Sequence, residues 1–91
     1  SLGKKLLSGQ LIDYVALLHD VEIRQIQVPE SLNGKTVEEI ELRQKFRLNI
    51  IAIENISGTN TEVIPENVLK KDDIIVVIGK IKNINSFEES L

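Results

Sequence analysis

Cysteine is absent from this 91-residue chain, and histidine occurs once, at His19. Without a thiol there is no disulfide framework, no cysteine nucleophile and no cysteine-based zinc site, and one imidazole cannot assemble a histidine cluster. Three aromatic residues, Tyr14, Phe46 and Phe87, are too few for a base-stacking platform that grips single-stranded nucleic acid. Basic residues are outnumbered 11 to 14, which leaves a net charge of −3. A broad phosphate-backbone surface needs dense Lys and Arg on one face, so the balance argues against DNA binding by this segment. No apolar run approaches the ~20 residues of a membrane-spanning helix. Nor does any basic, apolar and small-residue order mark a signal peptide.

Hydrophobic residues nonetheless make up 42% of the chain and charged residues 27%, a balance that supports a folded core. At this length that core is a single one. Its apolar residues are largely Ile, Leu and Val, which favours strands and aliphatic packing. Apolar residues at 2, 6, 7, 11, 14, 15 and 18 fall on one helical stripe, which predicts an amphipathic helix over Leu2–Leu18, broken at His19 and Asp20. Val21–Val28 reads as a strand whose alternation slips near Gln25, so a bulge or a change of burial is expected there. Pro29 ends it, and Asn33-Gly34 supplies a turn.

Thr36 followed by Glu39 fits a capping box that opens a helix running to about Phe46. Asn49–Glu54 reads as a strand buried on both faces, reached from the first by a parallel crossover. Asn55–Asn60, with Ser57-Gly58, reads as a hairpin loop leading to a strand over Thr61–Ile64. Asp73–Gly79 is the best-defined central strand, and Ile81, Ile84, Phe87 and Leu91 predict a closing helix. The order is that of a small α/β domain with a mixed sheet.

The carboxylate pairs Glu38-Glu39, Asp72-Asp73 and Glu88-Glu89 read as solvated surface, because adjacent residues point in different directions. His19 reads as a cation at a helix terminus. No serine carries a G-x-S-x-G signature, and hydrolase chemistry has no support. Gly34-Lys35-Thr36 imitates the end of a phosphate loop, but Pro29 stands where its first glycine belongs, so a turn and a helix cap explain it. One stretch departs from the acidic background. Residues 41–47 hold Arg43, Lys45 and Arg47 against Glu41 alone, a local charge of +2, while residues 1–40 stand at −2 and 48–91 at −3. Helix-end electrostatics and an anion site account for it equally well.

The segments "VPESLNGKTVEEIELR", "LNIIAI", "PENVL" and "DIIVVIG", in this order over residues 21–80, resemble the C-terminal lobe of RCK domains, also called TrkA-C domains. "LGKKLLSGQLIDYVALL" is similar to the crossover segment of Ktr-type potassium uptake gating subunits. Two departures stand out. Asp72-Asp73 replaces a Gly-Asp pair common before the last strand, and Val63 stands where a first proline would accompany Pro65.

The resemblance implies a linker helix over 1–20 and a βαβββα ligand-binding and dimerisation domain over 21–91. It implies a non-catalytic cytoplasmic regulator without a catalytic cofactor, forming a homodimer within an octameric ring. Such a ring would act on a membrane potassium transporter subunit at the inner face of the membrane, without inserting and without binding nucleic acid. A cation/proton antiporter and a transcription repressor are the alternative parents, with another ligand or none. In Ktr-type members the dimer cleft takes cyclic di-AMP. By matching position, Arg43 and Asn49 are implied as polar contacts and Ile50, Ile64 and Pro65 as apolar walls, with Val37 and Glu41 nearby.

Overall fold

The structure, a computed structural model, describes residues 11–91. Five strands, β1 (Leu11–Ala16), β2 (Val21–Gln27), β3 (Asn49–Asn55), β4 (Gly58–Asn60) and β5 (Ile74–Lys80), form one sheet in the order β1-β2-β5-β3-β4. Helices α1 (Val37–Ile40) and α2 (Leu42–Phe46) lie between β2 and β3, and α3 (Ile81–Glu89) follows β5.

Among the described residues, every hydrogen-bonded strand pair is antiparallel. The α/β class and the βαβββα order from residue 21 are present, but the mixed sheet is not. Strand β5 inserts between β2 and β3, so these two share a direction without touching. The burial pattern of β5 alternates cleanly, with Ile75 and Val77 fully buried at its centre. Each such side chain contributes ~1.5–3 kcal/mol by leaving water. Ile26 and Val28 from β2 and its end, and Ile84 and Phe87 from α3, complete the same layer. Phe87 meets Phe46 edge-on at 5.5 Å and 62°.

The helix expected over Leu2–Leu18 is corrected where the structure describes it, and its first part, at 2–10, lies outside the described residues. Leu11–Ala16 is a strand hydrogen-bonded along β2. Tyr14 and Val15 belong to the expected helical stripe but suit a strand as well, and pairing with β2 decides between them. His19 and Asp20 both adopt the left-handed conformation (φ 61° and 62°), as the tight reversal between two antiparallel strands requires. His19 therefore caps no helix.

The slip expected in β2 is absent too: its register with β5 is unbroken from Val21 to Gln27. The inward face reads Glu22, Arg24, Ile26, Val28, and a buried ion pair occupies the positions where apolar residues were sought. The irregularity lies across the ladder, in β1 between Leu11 and Asp13.

The capping box at Thr36 forms as expected, with Glu39 N–H donating to the Thr36 hydroxyl and Thr36 N–H to the Glu39 carboxylate. The single helix to Phe46 is broken at Glu41, whose φ of 51° is left-handed. Ile40 and Leu42 lie two residues apart and would face opposite sides of a continuous helix. The break turns both into the core, at 8% and 4% exposure.

Strand β3 is not buried on both faces: only Ala52 and Ile53 are, and a register shift after Ile50 leaves Ile51 exposed. The next strand is Gly58–Asn60, not Thr61–Ile64. Asn60 and Asn67 side chains accept from Glu62 N–H and Ile64 N–H and draw that segment off the sheet. Among the carboxylate pairs, Asp73 and Glu88 are buried rather than solvated.

Candidate functional site

The loop after β4 is tied to the start of α1 by the helix's own spare donors. The first N–H groups of a helix have no partner within it. Here Val37 N–H donates to Asn67 C=O (2.9 Å) and Glu38 N–H to Pro65 C=O (3.0 Å). Pro65 and Ile64 are thereby held beside Val37.

The other wall is set at the far end of α2. Arg47, left-handed at φ 57°, reverses the chain, and Leu48 N–H reaches Leu42 C=O (3.3 Å). Leu48 is buried to 1% exposure, so the reversal brings Asn49, the first residue of β3, alongside α2.

Between these walls lies a cavity of about 420 Å³, within the range of small-molecule sites. Of the seven residues implied by resemblance, six line it: Val37, Arg43, Asn49, Ile50, Ile64 and Pro65. Glu41 does not. It sits at the break between α1 and α2, exposed, with its carboxylate 3.4 Å from Lys45 Nζ. Glu38, Gln44, Leu42, Leu48 and Val63 also line the space. None of these five carries a local signature of a site: Glu38 reads as solvated surface, Gln44 belongs to no motif, and Val63 falls within the expected strand over Thr61–Ile64.

The cavity's polar equipment is uncommitted. Neither the Arg43 guanidinium nor the Asn49 carboxamide makes a hydrogen bond or ion pair with another described residue. Arg43 offers planar donors without an acceptor, and Asn49 offers both donors and an acceptor. Leu42, Leu48, Ile50, Val63 and Ile64 surround them with apolar surface. Such a site suits a ligand with an anionic centre and flat, weakly polar faces.

A family model, the TrkA-C domain, matches residues 21–91. The chain belongs to the TrkA-C domain family. Among its relatives, Ktr system potassium uptake protein C of Bacillus subtilis (strain 168) is 26% identical over 97% of this chain and 40% of its own length. Ktr system potassium uptake protein A of the same organism is 23% identical over 96% of this chain and 39% of its own. The chain thus spans about two fifths of the length of these relatives. The RCK C domain of the potassium transport protein KtrA, solved in complex with cyclic diadenosine monophosphate, superposes with a TM-score of 0.73 at 26% identity. That match covers 76% of this chain and 81% of the KtrA domain. In this TrkA-C domain, Gln44 and Val63 join the cavity beyond the residues that the resemblance carried over.

Proposed function

We propose that this TrkA-C domain is a non-catalytic regulatory module of a potassium-transport protein, and that it binds cyclic di-AMP where two copies pair about a two-fold axis. One observation carries the reading: the uncommitted Arg43 guanidinium and Asn49 carboxamide share a single cavity with the aliphatic walls of Ile50, Ile64 and Pro65. The similar KtrA domain, whose structure contains this ligand, supports it.

The chemistry fits the ligand. A cyclic dinucleotide is itself two-fold symmetric, so two copies of one cavity each serve one adenosine monophosphate unit across an isologous interface. Arg43 answers a phosphate or ribose oxygen with a charge-assisted bond. Asn49 meets an adenine edge, which presents a donor and an acceptor together. The aliphatic side chains cover the base faces. Only two phosphate charges need an answer, so a chain of net charge −3 needs no basic surface.

Regulation follows if the two copies bind the ligand better in one relative placement than in another, since only differential affinity shifts an equilibrium. Attached parts of the longer protein, assembled as an octameric ring beside a membrane transporter subunit at the cytoplasmic face, would pass that placement on. Titration calorimetry tests the first step. One cyclic di-AMP is expected to bind per two chains, and Arg43→Ala and Asn49→Ala each to weaken it. Absence of binding heat from folded, dimeric protein rejects the ligand. A stable monomer at calorimetric concentration rejects the shared cleft.

A further inference from the structure

Gly79, near the end of β5, has no backbone need to be glycine, since it does not take up the positive φ found at Gly34 and Gly58. A glycine inside a strand weakens it, and it marks a place where something approaches the backbone closely. At Gly79 that neighbour is Leu48. A Cβ at this position would stand 2.4 Å from Leu48 Cδ2, with Arg47 C=O at 3.5 Å and Leu48 Cα at 3.7 Å. Ordinary carbon contacts lie near 3.5–4.0 Å, so Leu48 would have to retreat by roughly 1 Å. Cδ2 is the far end of a flexible side chain, but at 1% exposure its retreat is into the packed core or the cavity that Leu48 borders.

Leu48 lies between the elements that carry the cavity's two polar groups. It follows the left-handed Arg47, donates back to Leu42 beside Arg43, and precedes Asn49, which pairs with Ile78 next to Gly79. Leu48 is also one of the residues that line the cavity. We infer that Gly79 is a positioning residue for the cavity: the missing side chain lets Leu48 dock on β5, and this sets Arg43 on α2 and Asn49 on β3 toward one ligand. The inference rests on the proposed ligand only for its affinity readout, because the placement of the two side chains can be read without any ligand.

The experiment uses the 91-residue chain with Gly79→Ala, Leu48→Val and both together. The pair conserves volume, since the methyl gained at one position is removed at the other. Ile84→Val, in the same core but away from the cavity, serves as the control for general loosening. Cyclic di-AMP affinity is read by calorimetry, and the side-chain resonances of Asn49 and Arg43 by nitrogen-correlated NMR.

Gly79→Ala is expected to weaken binding about ten-fold or more and to shift both resonances, and the double variant to return affinity to within about three-fold of the parent, a coupling that independent sites do not show. Ile84→Val is expected to leave both readouts in place. Unshifted resonances with unchanged affinity in Gly79→Ala, or a double variant no closer to the parent than the single, overturns the inference. If Gly79→Ala fails to fold, the double variant decides: a folded protein with parental resonances supports the inference, and an unfolded one overturns it. If the parent does not bind cyclic di-AMP, the ligand reading fails, and resonance shifts that appear in Gly79→Ala and revert in the double still support the positioning role.

Discussion

Arg24 on β2 and Glu88 on α3, 64 residues apart in sequence, form a buried ion pair. Glu22 from the same strand and Asn85 from the helix hold the same guanidinium, the latter at 2.8 Å. Burial is the largest influence on this guanidinium and pulls its pKa down. The Glu22 hydrogen bond and the charges of Glu22 and Glu88 more than offset it, so the net direction is upward and the charge stays on. Ile84 and Phe87 supply the adhesion of α3, but apolar contact is non-directional. The ion pair adds direction, fixing where along the sheet the helix lies.

Arg24→Met is therefore expected to cost about 3–5 kcal/mol in urea denaturation, because it leaves two buried carboxylates without their guanidinium. Adding Glu22→Gln and Glu88→Gln to Arg24→Met is expected to recover part of the loss. A loss that those additions leave unchanged would assign it to packing instead of charge.

Arg43 should behave in the opposite way. It is exposed and its guanidinium is bonded to no described residue, so Arg43→Lys and Arg43→Ala are expected to change stability by less than about 0.5 kcal/mol. Binding separates the two. Lysine keeps the charge but loses the planar fork, and an affinity loss of about ten-fold, or 1.4 kcal/mol, is expected by calorimetry with cyclic di-AMP, with a larger loss for alanine. Equal affinities for the parent and the Arg43→Lys variant would mean that a point charge suffices.

Much of this fold is legible in the sequence. The capping box at Thr36 and Glu39, the central position of β5 and the buried spacing of Ile84 and Phe87 all follow from local chemistry or periodicity. The failures have a common cause in tertiary pairing. Leu11–Ala16 carries a helical stripe and a strand-forming composition at once, and only the β2 partner chooses. Glu22 and Arg24 spoil an apolar alternation because Glu88, the second carboxylate that Arg24 pairs with, is invisible at a distance in sequence. Six of the seven candidate site residues line one cavity, but the resemblance supplied that grouping; composition and spacing marked only the cationic stretch around Arg43. No pattern indicates that Glu41 would sit at a helix break and turn away.

Asp72 shows how a departure from a family pattern can be accommodated. It takes a left-handed φ of 74°, the conformation that a glycine would adopt without strain, and its carboxylate accepts a hydrogen bond from Gln27 Nε2 at 3.3 Å. Left-handed backbone costs roughly 1–2 kcal/mol for a residue with a Cβ, somewhat less for Asp. Glycine in turn loses about 0.5–1 kcal/mol more chain entropy on folding. Asp72→Gly is expected to leave stability unchanged or raise it by up to about 1 kcal/mol, read as a higher Tm, while Asp72→Val lowers it. A large loss with glycine would give the Gln27 contact more weight than the backbone.

The capping box carries a pH dependence of defined sign. Hydrogen bonds from the Thr36 backbone N–H, first, and from its hydroxyl hold the Glu39 carboxyl below its ordinary value of 4.5, with Lys35 adding a smaller pull. Above that value the carboxylate is ionised in folded and unfolded chains alike, and its bond to Thr36 contributes in full. As the pH falls below it, the unfolded chain takes up the proton first, and the contribution fades until the folded carboxyl is protonated as well. Glu39→Gln keeps an acceptor oxygen without the charge. The Tm advantage of the parent over Glu39→Gln is therefore expected to be constant from about pH 7 down to about 5 and to shrink toward about pH 3. Thr36→Ala, which removes the hydroxyl acceptor of Glu39 N–H, is expected to cost about 1 kcal/mol at neutral pH. A gap between parent and Glu39→Gln that stays the same across that whole acid range would show that the bond owes nothing to ionisation, and that Thr36 stabilises α1 through the hydroxyl alone.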